Sequence, residues 1–133
     1  MPQKAINYML EHKESFIYDS TFFISPVIKD YADKYNFLSF SEDTLIKANF
    51  NISSTIFKKN ISEVKKKISL PVEVQSKNKY KSSWLISPSI KAGEIYCVFA
   101  KVESLNQKRG REVVFIFDKK SNLIRNISSQ FIY

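Results

Sequence analysis

The feature that most constrains this chain is its C-terminal stretch, GEIYCVFAKVESLNQKRGREVVFIFDKKSNLIRNISSQFIY, residues 93–133. It holds three runs of about ten residues rich in Val, Ile, Phe and Tyr. Short polar segments join them: LNQKRGR, with Gly110 near its end, and a turn centred on Ser121 and Asn122. β-Branched and aromatic runs punctuated this way read as consecutive antiparallel strands, because only hairpins join long strands through so few residues. The strand centres are apolar on both sides, so the sheet is expected to be covered on both faces. A partner or a second subunit can supply the second cover.

The first half reads as helical. Pro2 suits the first helical position, and Ile6, Met9, Leu10, Lys13, Phe16 and Ile17 follow helical spacing, which predicts a helix over residues 2–18. Ser25 followed by Pro26 reads as a cap and start for a second helix, with Val27, Ile28, Tyr31, Ala32 and Tyr35 as its stripe. Ser41, Glu42 and Asp43 start a third, short helix, with acids where the helix dipole favours them. Phe57, Ile61, Val64 and Ile68 predict a fourth helix, beginning at Ser53 or Ser54 and ended by Pro71. On it Lys58, Lys59, Lys65 and Lys66 fall off the apolar face, and Lys65, Lys66 and Lys67 oppose the negative end of the dipole. Val72 and Val74 then alternate with polar residues, and Trp84, Leu85 and Ile86 form a short strand. Helices first and strands after, without βαβ alternation, predict an α+β fold: N-terminal helices packed on a curved antiparallel sheet of about four to five strands. One domain over residues 1–133 is expected, helical to about 69 and sheet from about 71.

Charge divides the chain. Four Lys stand against seven acids up to Asp43, a net of −3; from Thr44 onward seventeen basic residues stand against six acids, a net of +11, giving the total of +8. This predicts two electrically distinct faces. Eighteen of the twenty-one basic residues are Lys, and with abundant Ile and Asn that bias matches an AT-rich coding sequence, which also explains three Asn-Ile-Ser tripeptides at Asn51, Asn60 and Asn126. The N-terminus has no apolar signal core and no run reaches membrane-spanning length, so a cytoplasmic protein without membrane attachment is expected. The single cysteine, Cys97, sits in the apolar run IYCVFA and is expected to be buried and inert.

The phrase REVVFIFDKKSNLIRNISS carries a resemblance. An apolar strand over residues 113–117, Asp118, a turn through Asn122 and a branched aliphatic strand over residues 123–127 resemble the last hairpin of the nuclear-transport-factor-like or cystatin-like superfamily. Asn122 stands where that group carries its turn glycine, and Asn tolerates positive φ. The resemblance implies helices on a curved sheet and a membership that includes small enzymes, transport factors and bacterial immunity proteins.

Catalytic chemistry has few carriers. There is one histidine, His12, and one cysteine, so no clustered Cys/His metal site is available, and no cofactor is expected. Two isolated glycines exclude a glycine-rich phosphate loop. Glu94, Glu103, Glu112 and Asp118 fall near strand ends, where solvated charges are the expected reading. Basic residues interleaved with aromatics stand out more: Lys77, Lys79 and Lys81 with Tyr80 and Trp84, and Lys108, Arg109 and Arg111 on a hairpin loop. Opposed charge faces without evident chemistry predict a non-enzymatic protein-binding module, an immunity protein or inhibitor that neutralises a bacterial toxin by stoichiometric binding. The expected contact residues are those eight. The alternative is a small basic RNA-binding protein or ribonuclease toxin, since helices followed by such a sheet also look like small ribonuclease toxins working with Lys, Arg, Tyr and one His.

Overall fold

The computed structural model describes residues 1–17, 21–31, 40, 43–49, 58–76, 83–104 and 106–132. Its elements are α1 (Pro2–Glu11), α2 (Thr44–Asn49), β1 (Lys58–Lys59), β2 (Trp84–Ile86), β3 (Ile90–Ala92), β4 (Ile95–Ser104), β5 (Arg109–Phe117) and β6 (Leu123–Ile132). The fold is α+β, with all named strands in one antiparallel sheet.

The C-terminal meander is as expected. β4 pairs with β5 from Tyr96↔Phe117 to Ser104↔Arg109, and β5 pairs with β6 from Phe117↔Leu123 to Arg109↔Ile132. The β5–β6 turn is built by Asp118, whose carboxylate accepts the backbone N–H groups of Lys120 (2.8 Å) and Asn122 (2.9 Å). The positive φ of this turn falls on Ser121 (65°), one residue before the expected Asn122. β2 and β3 lie end to end along the other edge of β4. Between them Pro88 has no N–H for a ladder, and Ser87 takes over: it donates its N–H to the Phe99 carbonyl (2.9 Å) and its Oγ accepts the Phe99 N–H (2.8 Å).

Alternation along β4 and β5 divides the core in two. One face carries Val98, Ala100, Val102, Val113, Phe115 and Phe117, under Ile6 and Met9 of α1, Phe16, Ile24 and Trp84. The other carries Ile95, Cys97, Phe99, Val114 and Ile116, under Phe40 and Ile46 of α2. The second face is thus covered, as expected, and this chain's own Phe40 and Ile46 contribute to the cover that a partner or second subunit could have supplied.

Three helical expectations are corrected. α1 stops at Glu11, and a 3₁₀ turn over Lys13–Ser15 swings Phe16 onto the sheet, its ring 6.5 Å from Trp84 and 6.4 Å from Phe115. The stripe after Pro26 is extended over its described part: Ile24 bridges Trp84, Val27 bridges Lys67, and Lys29 N–H donates to the Ile86 carbonyl (2.9 Å). β-Branched Val27 and Ile28 lose little by being extended, and the ladder along β2 rewards it. The lysine-rich helix is absent over residues 58–68, and Val72–Val74, expected as strand, is a 3₁₀ turn. Tyr18, Ser41 and Glu42, and residues 32–39 and 51–57 of the helical expectations, lie outside the described residues.

Candidate partner-binding surface

Residues 58–76 form an anchored ribbon. β1 pairs with β3, and Asn60 N–H donates to the Ser89 carbonyl (2.8 Å). A 3₁₀ turn over Ile61–Glu63 follows, from which Glu63 Oε1 accepts the Ser89 N–H (2.9 Å). Lys65 takes a left-handed φ of 70°. That turn aligns the ribbon with residues 26–28: Lys65 N–H donates to the Ile28 carbonyl (2.9 Å), Ile28 N–H to the Lys66 carbonyl (2.9 Å), and Ile68 N–H to the Pro26 carbonyl (2.8 Å). Gln3 clamps the next residue, its Oε1 accepting the Ser69 N–H (2.7 Å) and its Nε2 donating to the Ser69 carbonyl (3.0 Å).

Backbone groups are thus spent inward, while the lysine side chains are sent outward. Lys65, Lys66 and Lys67 are exposed, and the helix dipole expected to explain them is not there. Ile61 is 76% exposed and Val72 82% exposed. Ile61 was expected on a buried helix face; here the turn aims it at solvent, while Ile68 keeps the core role at 5%. Two large apolar side chains this bare, on a ribbon held by so many hydrogen bonds, are the residues that sequence pattern alone hides, because their spacing imitates a core stripe.

The second basic element is the β4–β5 hairpin. Lys108 adopts φ 51° and is exposed, as is Arg109. Arg109 and Arg111 lie on the α1 side of the sheet, in register with Ser104 and Val102. Arg111 Nη1 donates to the Ser15 carbonyl (2.6 Å), tying the hairpin to the turn that follows α1. At the end of α1, the exposed His12 stacks on Tyr8 with ring centroids 4.1 Å apart, and its Nδ1 lies 2.9 Å from the Tyr8 carbonyl.

The expected contact residues divide accordingly. Lys108, Arg109 and Arg111 share one hairpin. Trp84 is corrected: at 1% exposed it is core, stacked on Phe22 with centroids 4.7 Å apart, so it offers a partner no surface. Lys77, Lys79, Tyr80 and Lys81 lie outside the described residues.

Acidic groups are mostly engaged. Glu94 pairs with Lys119 on the surface, and the bond from Lys119 holds its carboxyl below the ordinary range. Glu103 pairs with Lys101 (3.1 Å). Asp43 pairs with Arg125 (2.7 Å). Burial works against the Asp43 charge, yet bonds from Arg125 and from the N–H groups of Ile46 and Leu45 bring its pKa down. Burial, then Glu112 and Glu103, push the Tyr31 phenol well above its ordinary value, and its hydroxyl is buried without a hydrogen-bond partner among the described residues. Cys97 is fully buried, and burial pushes its thiol up. Among the described residues no three His, Cys, Asp or Glu side chains come together to hold a metal ion, and no helix is long and apolar enough to cross a membrane.

Compared with protein-family models, with curated proteins and with solved structures, the chain matches none.

Proposed function

We propose that this chain is a stoichiometric protein-binding module that docks its lysine-bearing ribbon on an acidic face of a partner, in the manner of an immunity protein neutralising a bacterial toxin. The exposure of Ile61 and Val72 on the same ribbon that carries the exposed Lys65, Lys66 and Lys67 supports this reading. Apolar anchors desolvate on docking and supply affinity, whereas lysines steer an acidic partner into contact. The anchored backbone supports the reading further, since a preorganised ribbon loses little conformational entropy on binding.

The test is retention of a partner from native lysate by the immobilised chain, compared with a Lys65→Glu/Lys66→Glu/Lys67→Glu variant. A stoichiometric partner retained by the parent and lost by the variant supports the proposal. Equal retention by both, in low salt, sinks it.

One observation favours a second reading, a small ribonuclease. The Arg111–Ser15 bond brings the basic hairpin to the turn immediately after His12, so a phosphate-binding cluster and a proton carrier share one end of α1. Expression in a bacterial host separates the two. Growth arrest with cleaved RNA, abolished by His12→Ala, makes the chain a nuclease; healthy growth with intact RNA removes that reading.

A further inference from the structure

The two sides of the sheet end differently. On the β2–β3 side, residues 24–29 run beside β2, and β1, only two residues long, sits beside β3. On the other side the last strand is β6, ten residues long and, among the described residues, paired on one side only, to β5. In an antiparallel ladder every second residue turns its N–H and C=O away from the neighbouring strand. β6 therefore presents about five donors and five acceptors along an edge that no strand among the described residues occupies.

Edges of this length are ordinarily blunted by lysine, proline or a bulge. β6 contains no Lys or Pro. Its one irregularity is at the turn end, where the register passes from Ile116↔Arg125 to Phe117↔Leu123 and leaves Ile124 as the extra residue, so the edge from Arg125 onward is regular. Its only charge, Arg125, is bonded to Asp43 (2.7 Å) and to Thr44 Oγ1 (3.2 Å) on α2.

We propose that β6 is a self-association edge, on which a second copy of this chain adds its own β6 antiparallel about a two-fold axis through Ile127. Such an axis, normal to the sheet, keeps opposite residues on the same face and makes the interface isologous. It sets Arg125 opposite Ser129 of the second copy, Asn126 opposite Ser128, and Ile127 opposite its own equivalent. No like charges meet across the ladder, and neutral hydrogen-bonding side chains meet one another, as stable cross-strand pairs require. The net charge of +8 on each copy opposes association at long range, so the dimer tightens as salt screens that repulsion. This inference is independent of the partner-binding reading.

Sedimentation velocity of the full chain, from low micromolar to millimolar concentration at two salt concentrations, tests it. The weight-average mass is expected to rise from 15.5 kDa toward twice that value, and to do so at lower protein concentration in higher salt. Ser128→Lys, at an exposed position, sets two like charges near each other across the axis and is expected to weaken the dimer about tenfold with the melting temperature of the dilute protein unchanged. Adding Asn126→Glu places the introduced carboxylate opposite the introduced ammonium of the other copy and is expected to restore association. A mass that stays at one chain throughout overturns the proposal. A double variant that associates no better than Ser128→Lys overturns this register.

Discussion

Replacing Asp43 with alanine removes two supports at once. α2 is six residues long, and helices this short are not stable alone. It is held by its start and by Ile46. The Asp43 carbonyl accepts the Lys47 N–H (2.8 Å) while its carboxylate accepts those of Leu45 (2.9 Å) and Ile46 (3.1 Å). Losing the cap costs about 1 kcal/mol, with a range of about 0.5–2. Losing the pair with Arg125, whose side chain is 41% exposed, adds ~0.2–1. Asp43→Ala is thus expected to cost about 1–3 kcal/mol, a fall of about 4–12 °C in Tm for a chain of this size. Asp43→Asn keeps a capping oxygen and is expected to lose only the charge, under about 1 kcal/mol. The Asp43 carboxyl sits below its ordinary value of 3.8 in the folded state, so its charge-dependent stabilisation is complete above that pH and fades as pH falls through the lower folded value. The parent's advantage over Asp43→Asn should hold steady from pH 5 to 8, as rough bounds, and shrink below about 4. Urea denaturation of the three proteins across pH measures this. Equal losses for Asn and Ala would refute the cap, and an advantage that grows on acidification would refute the ion pair.

Other consequences are as specific. Gly93→Ala places a Cβ 2.7 Å from Asn49 Oδ1, the acceptor of the Glu94 N–H, on a residue at φ +56°. A loss of about 1–2 kcal/mol is expected, read by thermal unfolding. Ser87→Ala leaves the buried Phe99 N–H without its acceptor and should cost about 1–3 kcal/mol. Ile61→Ala and Val72→Ala should leave stability within about 0.5 kcal/mol while each weakens partner binding by about 1–2 kcal/mol, a separation that no core residue shows. Cys97 should fail to react with a thiol reagent until denaturant is added, at a rate set by unfolding.

Strands were legible where one signal decided them. β4, β5 and β6 have no helical alternative, since β-branched and aromatic runs with polar turns at both ends fit only a ladder. The burial of Cys97 followed from the same run. A short helix near Ser41–Asp43 was legible from its acids, but the cap is Asp43 itself, which the sequence pattern places in the first turn. The ribbon was not. Phe57, Ile61, Val64 and Ile68 keep helical spacing, but the backbone of residues 65–68 finds its partners on residues 26–28, about forty positions earlier, and such long-range pairing leaves no local trace. The same exchange made residues 24–29 extended. Consequently Ile61, taken for core, became surface, and Trp84, taken for surface because lysines and a tyrosine precede it, became core under Phe16 and Phe22. Only the charge content of the candidate surface could be read directly; its apolar anchors depend on tertiary pairing.

The most direct test of the central claim is titration of the captured partner with the parent chain and with Ile61→Ala/Val72→Ala, alongside thermal unfolding of both. Unchanged unfolding with affinity reduced at least tenfold is the predicted result. Equal affinities would contradict the assignment of this ribbon as the docking surface.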